Sequence, residues 1–421
     1  MSDTAKLTIQ RLGRDGDGLA RRAGAVWSVP QTVPGDVVEA LPAGASGRPE
    51  RGVVHARLLR LLRPSADRVV PACPAAEECG GCDWLHVASA ARLRAKAALV
   101  REALERPEDA PLEVLPAPTE RFRRVTRLAV GRDGDGPVVG YRHARARRVV
   151  RLGGCPVLEP ELDEVLAALA AAPGALGAWL AAEAGELWLL SDGARLVHLS
   201  RAPGGERTGG PGVGRAASAA LAALRAAVPE RLRPGSRAPS VEASDGGPAL
   251  RVPPGGFVQA NRALAPELAR LAVEWAGLPP LHVLELYAGA GHLTVALARS
   301  AASLVAVESD PAAAAALAEN LERRGARHAR AICGDAARAA AEADPGRVVV
   351  ADPPRAGLGP AAAVLAGRRP ARLVLVSCDL RALARDTRAL GAAGYVPRRA
   401  ALCDLFPTTH HVEAVTLFEP G

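Results

Sequence analysis

The chain has 421 residues, 49% of them hydrophobic and 23% charged, which is typical of a globular protein with two or three domains. Its formal net charge is +8, and since lysine occurs only at Lys6 and Lys96 the positive charge is nearly all arginine. Such a chain suits a polyanionic partner, although a solvated basic surface would have the same composition. A polar N-terminus and the lack of long apolar runs in the sequence predict a cytoplasmic protein without membrane spans, in which the seven cysteines stay reduced.

The first part of the chain, residues 1–62, has short apolar runs between turn-forming residues. This pattern predicts an OB-like β-barrel with strands over Lys6–Leu12, Ala25–Pro30, Asp36–Leu41 and Gly52–Leu61. Four arginines flank its first loop and could follow a nucleic-acid backbone: Arg11, Arg14, Arg21 and Arg22. The alternative is a generic barrel with solvated loops.

The central part, residues 63–250, begins with the cysteine-rich stretch "CPAAEECGGCDW". A helix over Ala88–Glu105 and an arginine-rich, strand-rich region follow it. Three clustered cysteines and a fourth from "GGCP" are a set that can bind a [4Fe–4S] cluster or tetrahedral zinc: Cys73, Cys79, Cys82 and Cys155. The spacing alone does not choose between the two metals.

The last part, residues 251–421, alternates apolar strand runs with alanine-rich helical runs. The predicted strands are Leu281–Leu286, Leu304–Val307, Ala329–Ile332, Val348–Ala351, Leu373–Val376 and a further strand in "VEAVTLFEP". Fully apolar strands separated by helices predict a doubly wound α/β domain with a parallel sheet covered on both faces. Its ligand should bind at the carboxyl ends of the strands.

A glycine turn in "HVLELYAGAGHLTVALA" points to a nucleotide-like ligand. Gly289 and Gly291 allow close approach of the ligand to the backbone, and Glu308 ends the next strand, where an acid can bind ribose hydroxyls. A dinucleotide site has the same arrangement, but the third glycine of its fingerprint is missing. The pattern Glu285-x-Tyr287 before the glycines suits S-adenosylmethionine better. Asp335 is a candidate for the adenine amine, or a helix N-cap.

Two further strand ends carry chemistry. Asp352, in "ADPPRAG", is expected to face the substrate. Cys378, in "LVLVSCDLRALARD", follows a buried strand and precedes a helix whose amides favour a thiolate. The neighbouring Asp379 would raise the pKa of the thiol if it faced it, or would cap the helix. Cys333 and Cys403 are interpreted as small buried hydrophobic residues.

Together these motifs resemble the RNA uracil-5-methyltransferases along nearly the whole chain. The resemblance rests on "GRDGDGLAR", the cysteine cluster, "CPVLEPEL", "GGFVQAN", "LELYAGAGHLT", "ADPPRAG", "VSCDLRALARD" and "DLFPTTHHVE". It implies three domains: a TRAM barrel (1–62), a central iron–sulfur domain (63–250) and a Rossmann-like, S-adenosylmethionine-dependent methyltransferase domain (251–421).

The resemblance also implies roles for single residues. Cys378 matches the family's nucleophile and Glu413 its general base, while Phe257 matches an aromatic residue near the target base. Gln259, Glu308 and Asp352 match cofactor-site or substrate-site positions. The four clustered cysteines match cluster ligands, which favours [4Fe–4S] over zinc. The chain departs from the family at Asp379, usually asparagine, at Glu285, usually aspartate, and at the Tyr287-Ala288 pair.

The implied activity is methylation of uridine C5 in RNA by a monomeric enzyme. The preferred target is 23S ribosomal RNA, because bacterial family members with a cluster act on it, and tRNA uridine 54 is the alternative. Two other classes stay open: an RNA-binding protein or chaperone that kept the fold without activity, and an iron–sulfur redox or radical enzyme. The fourth cysteine speaks against the open iron site that the last class needs.

Overall fold

The computed structural model of the protein describes residues 4–43, 52–182, 185–202, 211–279 and 281–421, and residues 211–214 by their backbone only. Three sheets of six, five and eight strands organise these residues, together with a two-stranded hairpin. Each of the three sheets has an apolar core beside it.

The N-terminal sheet contains β1 (Ala5–Thr8), β2 (Arg11–Leu12), β3 (Gly18–Arg22), β4 (Ala25–Val29), β5 (Val37–Pro42) and β6 (Val53–Arg63), paired in the order β1-β5-β6-β4-β3-β2. β1 and β2 lie in one extended segment. In it the Ile9 amide donates to Asp36 and the Gln10 amide to Leu19, so this segment joins the two ends of the sheet. The single strand predicted over residues 6–12 is therefore interrupted. The sequence does not predict β3, because its glycine and arginines form no apolar run.

The central part begins with α1 (Ser89–Ala103) and β7 (Glu113–Leu115). An antiparallel sheet follows, in the order β10-β9-β8-β11-β12, built from β8 (Val125–Asp133), β9 (Gly136–Arg142), β10 (Val149–Arg151), β11 (Leu187–Ser191) and β12 (Val197–Arg201). It is covered by α2 (Pro160–Ala170), α3 (Pro173–Ala181) and α4 (Pro211–Ala227), and a 3₁₀ turn lies at Glu230–Leu232.

Within the described ranges no single helix is long and apolar enough to cross a membrane. The bent pair α2 and α3, which meet at 82°, passes such a test by length and composition only. Leu166 of α2 and Trp179 of α3 are instead buried in the core beside the central sheet.

The hairpin β13 (Ser240–Val241) and β14 (Leu250–Arg251) leads into the C-terminal part. Its strands are β15 (Leu281–Leu286), β16 (Ala301–Glu308), β17 (Ala329–Cys333), β18 (Val348–Ala351), β19 (Arg372–Ser377), β20 (Tyr395–Cys403) and β21 (Ala414–Pro420). Its helices are α5 (Ala265–Ala276), α6 (Thr294–Leu297), α7 (Pro311–Glu322), α8 (Ala336–Ala339), α9 (Pro360–Arg368) and α10 (Leu380–Ala392), with a 3₁₀ turn at Ala340–Glu342.

The C-terminal sheet has the order β17-β16-β15-β18-β19-β21-β20-β7. β15 to β19 pair in parallel, as the sequence predicts, whereas β21 is antiparallel to both β19 and β20. The connection from β20 to β21 is short, and a parallel pair would need a crossover of a dozen residues or more. The strand order reverses between β15 and β18, and this is where α/β sheets of this kind bind ligands.

Alternate residues of the inner strands pack on opposite faces. In β18, Val349 belongs to the core on one face and Val350 to the core on the other. Although α1 and β7 lie within residues 63–250, α1 packs on α10 and β20, and β7 pairs with β20 at the edge of the C-terminal sheet. α1 packs on the C-terminal part because one of its faces, which includes Leu99 and Val100, is apolar and buried there.

Candidate active site

Cys378 lies at the carboxyl end of β19, directly before α10. Leu373 to Val376 are fully buried, and the strand ends at the buried Ser377. Cys378 is the first partly exposed residue after it. The thiol therefore stands at the edge of the sheet where ligands bind, as the sequence predicts.

Asp379 caps α10. Its Oδ1 accepts hydrogen bonds from the amides of Arg381 (2.9 Å) and Ala382 (2.8 Å). Burial, and then the charges of Glu413 and Asp352, raise the pKa of the Cys378 thiol to about 12. The expectation that Asp379 raises this pKa is thus replaced by the alternative, the helix cap.

Glu413 is brought to Cys378 by the pairing of β19 with β21. Ser377 is the register partner of Ala414, so the next residues outward are Cys378 and Glu413. The Glu413 carboxyl is buried, and its backbone carbonyl accepts the Cys403 amide at 2.8 Å. Burial and the charge of Asp352 raise its pKa well above the ordinary value, against the guanidinium of Arg355, which lowers it.

Asp352 completes this group from the end of β18. Burial raises its pKa to about 7. Gln259, also buried, directs its Nε2 toward the Asp352 carboxylate at 3.4 Å, a long hydrogen bond. Three of the predicted site residues from distant parts of the sequence, Asp352, Cys378 and Glu413, thus influence one another electrostatically.

Arg355 and His411 belong to the same site, although the sequence analysis gives them no role. An Arg355 N–H donates to Nε2 of His411 at 3.2 Å. A guanidinium only donates, so this nitrogen accepts, which fits a neutral ring: burial and the nearby charges of His410 and Arg355 lower the pKa of His411 to about 4. The position of Arg355 three residues after Asp352 was the available signal.

A cleft of about 200 Å³ opens in front of Cys378. Its walls come from the loop between β2 and β3, the Asp352–Arg355 turn, the start of α10 and the segment before Glu413. Two arginines of the C-terminal part line it, Arg355 and Arg381, and Arg381 is paired with Asp15 at 2.7 Å. The Cys378 thiol can therefore be reached through this cleft.

The glycine turn lies at the end of β15, beside β18. Gly289 has φ +56° with no atom within 4 Å of where a Cβ would be, and its amide donates to Glu308 Oε2 at 2.9 Å. Gly291 has φ +100°, and a Cβ there would meet Leu317 at 2.8 Å. The turn therefore leaves open space in front of Gly289, whereas Gly291 is needed for packing against α7.

Glu285 and Tyr287 flank this turn. Glu285 is buried, its Oε2 has no hydrogen-bond partner, and burial raises its pKa to about 8. Tyr287 has a positive φ of 62°, donates its hydroxyl to the Leu358 carbonyl at 3.0 Å, and has its pKa raised to about 12 by burial and by nearby Asp335. Asp335 caps α8, as its alternative interpretation predicts.

Phe257 is the predicted substrate residue that the structure leaves most open. Its side chain is 74% exposed, although Gln259, two residues later, is buried. An exposed aromatic ring at this place is free to stack on a base, and its contact with substrate stays a prediction.

The four predicted metal ligands line one pocket, which they share with Tyr141 and Arg123: Cys73, Cys79, Cys82 and Cys155. All four are free thiols, and burial raises the pKa of Cys79 to about 11 and that of Cys155 to about 12. Among the described residues, however, no group of three or more Cys, His, Asp or Glu side chains converges closely enough to hold a single metal ion.

The segment after Cys82 connects this pocket to the C-terminal part. Cys82 Sγ lies 3.2 Å from the Thr408 hydroxyl, and the Trp84 amide donates to the Thr408 carbonyl at 3.1 Å. Asp83 binds the His410 ring and amide, and the Trp84 indole donates to the Gly16 carbonyl at 2.8 Å. The cysteine segment is thus in contact with both the N-terminal loop and the chain leading to Glu413.

Comparisons with known proteins identify the relatives of this chain. A family described as tRNA (Uracil-5-)-methyltransferase matches residues 345–420, which include Cys378 and Glu413, and Conserved hypothetical protein 95 matches residues 271–360. The fold is similar to that of Pyrococcus abyssi tRNA (uracil-54, C5)-methyltransferase in complex with S-adenosyl-L-homocysteine. That similarity has a TM-score of 0.69 and 21% identity, and covers 98% of this chain and 100% of that one.

Curated relatives extend the similarity over the whole chain. The 23S rRNA (uracil(1939)-C(5))-methyltransferase RlmD of Chromohalobacter salexigens is 33% identical, covering 98% of this chain and 88% of the relative. The protein of the same name from Pseudomonas aeruginosa is also 33% identical, covering 99% and 94%. The chain therefore belongs to the RNA uracil-5-methyltransferase family and is an RNA (uracil-5-)-methyltransferase.

Proposed function

We propose that this enzyme uses S-adenosylmethionine to methylate C5 of a uridine in 23S ribosomal RNA, through a covalent bond between Cys378 and uracil C6. The observation that carries the mechanism is the adjacent placement of Cys378 and Glu413 at the carboxyl edge of the sheet. The relatives that match almost the entire chain support 23S RNA as the target.

The thiol is needed because uracil C5 is a poor nucleophile. Once the Cys378 thiol has lost its proton to solvent, the thiolate sulfur bonds to C6, the C5–C6 electron pair shifts toward O4, and C5 becomes enolate-like and able to attack an electrophilic methyl group. Glu413 then removes the C5 proton, and the electrons of that C–H bond restore the C5–C6 double bond as sulfur leaves. Burial and the charge of Asp352 raise the pKa of Glu413, so its carboxylate, when it is ionised, is a stronger base for this proton.

Residues around the glycine turn fit the methyl donor. The unpartnered Oε2 of buried Glu285 and the open space at Gly289 are features that a polar ligand would complete. Bound S-adenosylmethionine would supply the methyl group and a sulfonium charge that offsets Glu413 and Asp352 beside the thiol. Glu308 ends β16 and Asp335 follows β17, and we assign them to the ribose and the adenine, Asp335 in addition to its capping of α8.

We also propose that residues 1–62 are a TRAM-type RNA-binding module. The support is a small sheet whose ends are joined by one segment, with a loop that reaches the cleft at Cys378. Of the arginines expected on the RNA, Arg11 and Arg14 pair with Glu102, and Arg22 lies over Trp27. Arg21 is exposed on β3, so it is the candidate that we prefer for phosphate contact.

For the four-cysteine pocket we propose a [4Fe–4S] cluster rather than zinc. A single tetrahedral zinc needs four sulfurs about 2.3 Å from one point, and the described side chains do not converge in that way. Four thiols arranged around one pocket suit a larger group. Tyr141 and Arg123 would lie beside it. The methylation steps above need no redox chemistry, so we assign the cluster a structural role in a monomeric, cytoplasmic enzyme.

The test of this proposal is the Glu413→Gln variant. Addition and methyl transfer precede proton removal, so the variant should accumulate a covalent protein–RNA adduct that carries the labelled methyl group of S-adenosylmethionine. Denaturing gels with 23S RNA and tRNA as separate substrates measure both the mechanism and the target. The double variant Cys378→Ala/Glu413→Gln is the matched control and should form no adduct. Turnover at the wild-type rate by Glu413→Gln would refute Glu413 as the base. An adduct with tRNA only would refute 23S RNA as the target.

A further inference from the structure

The segment 404–412, which leads to Glu413, is irregular but buried. It lies between β20 and β21, and Leu405 and Thr408 have no exposed surface. Buried backbone outside a helix or sheet needs hydrogen-bond partners from elsewhere.

Two cations of α1, Lys96 and Arg92, supply some of these hydrogen-bond partners. Lys96 Nζ donates to the Asp404 carboxylate at 2.6 Å and to the Phe406 carbonyl at 2.8 Å, and Arg92 donates to the Pro407 carbonyl at 2.7 Å. Lys96 and Asp404 are fully buried or nearly so. Their partners are successive parts of one segment, so α1 fixes the path of the chain over these residues.

Lysine suits this position better than the arginine that the chain uses almost everywhere else. Lys96 is one of only two lysines in the sequence. Its compact ammonium group directs donors to a side-chain oxygen and a backbone oxygen that lie on the same segment, with the Trp84 ring 5.9 Å away. The larger planar guanidinium would need more space and a different donor geometry. Burying a charge in this way is costly unless it is paired.

Trp84, whose ring lies 5.9 Å from Lys96 Nζ, also holds the segment, because its amide donates to the Thr408 carbonyl, and at the end of the segment Glu413 is tied to Cys403. The segment is thus fixed at both ends by the sheet and between them by α1, Asp83 and Trp84. Loss of the α1 contacts would leave the strand pairing intact and would loosen the segment first at residues 404–407, to which Lys96 and Arg92 donate.

We propose that Lys96 and Arg92 are positioning residues for the catalytic base: from α1 they hold segment 404–412 so that the Glu413 carboxylate meets the C5 proton of the adduct. This inference rests on the proposed covalent mechanism. Misplacement of a reacting group by about 1 Å can cost about 100-fold in rate. The step affected is the release of RNA from the adduct, because Cys378 is carried by β19 and α10, which Lys96 and Arg92 do not contact through these bonds.

The main test is the double variant Lys96→Met/Asp404→Leu, which replaces the buried pair by apolar groups and leaves no unpaired charge. It should form the methylated RNA adduct at close to the wild-type rate but release it about 10- to 100-fold more slowly, so that adduct accumulates on denaturing gels. Hydrogen exchange should become faster in residues 404–412 and stay unchanged in β19. A second variant, Arg92→Leu, should show the same pattern more weakly.

The matched control is Arg324→Met/Asp245→Leu, which removes another buried ion pair that does not contact the segment. It should change stability without accumulation of adduct. Release of adduct at the wild-type rate by both α1 variants, or equal slowing of formation and release, would overturn the positioning role. If Glu413→Gln itself traps no adduct, the covalent mechanism fails instead, and the hydrogen-exchange result alone then decides whether α1 holds the segment.

Discussion

The protein has two thiol sites, and one thiol of each, Cys155 and Cys378, has a similarly raised pKa in different surroundings. Burial raises the pKa of Cys155 in the four-cysteine pocket and of Cys378 in the catalytic site to about 12 in each case. Around Cys155 the next charges are other thiols, whereas around Cys378 they are the carboxyl groups of Glu413 and Asp352. The neighbours of a thiol, and not its pKa in the free protein, therefore indicate its role.

This difference determines what would activate each site. Thiols that face one another become thiolates together when a metal centre enters, with release of protons. A thiol that faces carboxyl groups and an open cleft becomes reactive when positive charge enters beside it, and is then available to a substrate. The contact between Cys82 and Thr408 joins the two sites physically without mixing their chemistry.

The largest expected effect is that of Cys378→Ala. If Cys378 is the nucleophile, methylation of RNA should fall by a factor on the order of 10⁴ or more, with no covalent adduct, while S-adenosylmethionine still binds. Methyl transfer from labelled cofactor and calorimetric binding measure the two parts. Cys333→Ala is the control and should stay active; the prediction that Cys333 is buried is wrong, because its thiol is exposed at the end of β17, whereas Cys403 is buried as predicted. Substantial activity in Cys378→Ala would remove the distinction between the two thiol sites.

The second effect is on metal content. Anaerobically purified wild-type protein should be brown, with iron and sulfide in near-equal amounts, and Cys155→Ser should lose most of both and unfold at lower temperature. Cys403→Ser, at a buried cysteine outside the pocket, should keep its iron. Stoichiometric zinc without iron in the wild type would contradict the cluster assignment. Loss of iron in Cys378→Ala would show that the two sites are one system.

The third effect is on the stability of the protein as a function of pH, and it comes from the buried Glu285 carboxyl beside the glycine turn. The folded-state pKa of Glu285, about 8, lies above its ordinary 4.5, so the folded state keeps a proton that the unfolded state loses between these values. Stability therefore falls as the pH rises through this window. Glu285→Gln lacks this penalty and should gain up to roughly 4 kcal/mol relative to wild type from pH 4.5 to 8.

Thermal unfolding of the two proteins across this pH range measures the effect as a difference of several degrees. Comparison with wild type cancels the other titrating groups, among them the partly buried His292 and His411, whose pKa values are lowered. Glu322→Gln, at an exposed helical position, is the control, and its unfolding temperatures should run parallel to those of wild type. Parallel curves for Glu285→Gln would show that the first-strand acid is ionised in the folded protein.

The smallest expected effect is that of Asp379→Asn. Asparagine caps a helix as well as aspartate, so activity should stay within about twofold and the pH–rate profile should not move. Asp379→Ala, which loses the cap, should cost about 1 kcal/mol of stability. A shift of the Asp379→Asn profile to lower pH would mean that this carboxylate also acts on the Cys378 thiol, as first expected from the sequence.

The sequence by itself determined the local features. An apolar run predicts β18 at its observed bounds, because strands buried on both faces are mostly apolar, and β15 is also predicted at its observed bounds although His282 and Glu285 interrupt its apolar residues. β20 and β7 have no such run: β20 is interrupted by polar residues, and β7 has three residues at the edge of the sheet. Periodicity cannot show which strand will accept an edge partner.

Only the tertiary structure decided which distant residues meet. The motifs around Cys378 and Glu413 are visible in the sequence, but their contact depends on the antiparallel register of β19 with β21. Likewise the role of Asp379 depended on the direction of one carboxylate, which follows from helix capping and not from its position beside the thiol. The bond from Lys96 to Asp404 joins residues 308 positions apart. No local sequence pattern predicts it, because the ion pair depends on how α1 packs on the C-terminal part.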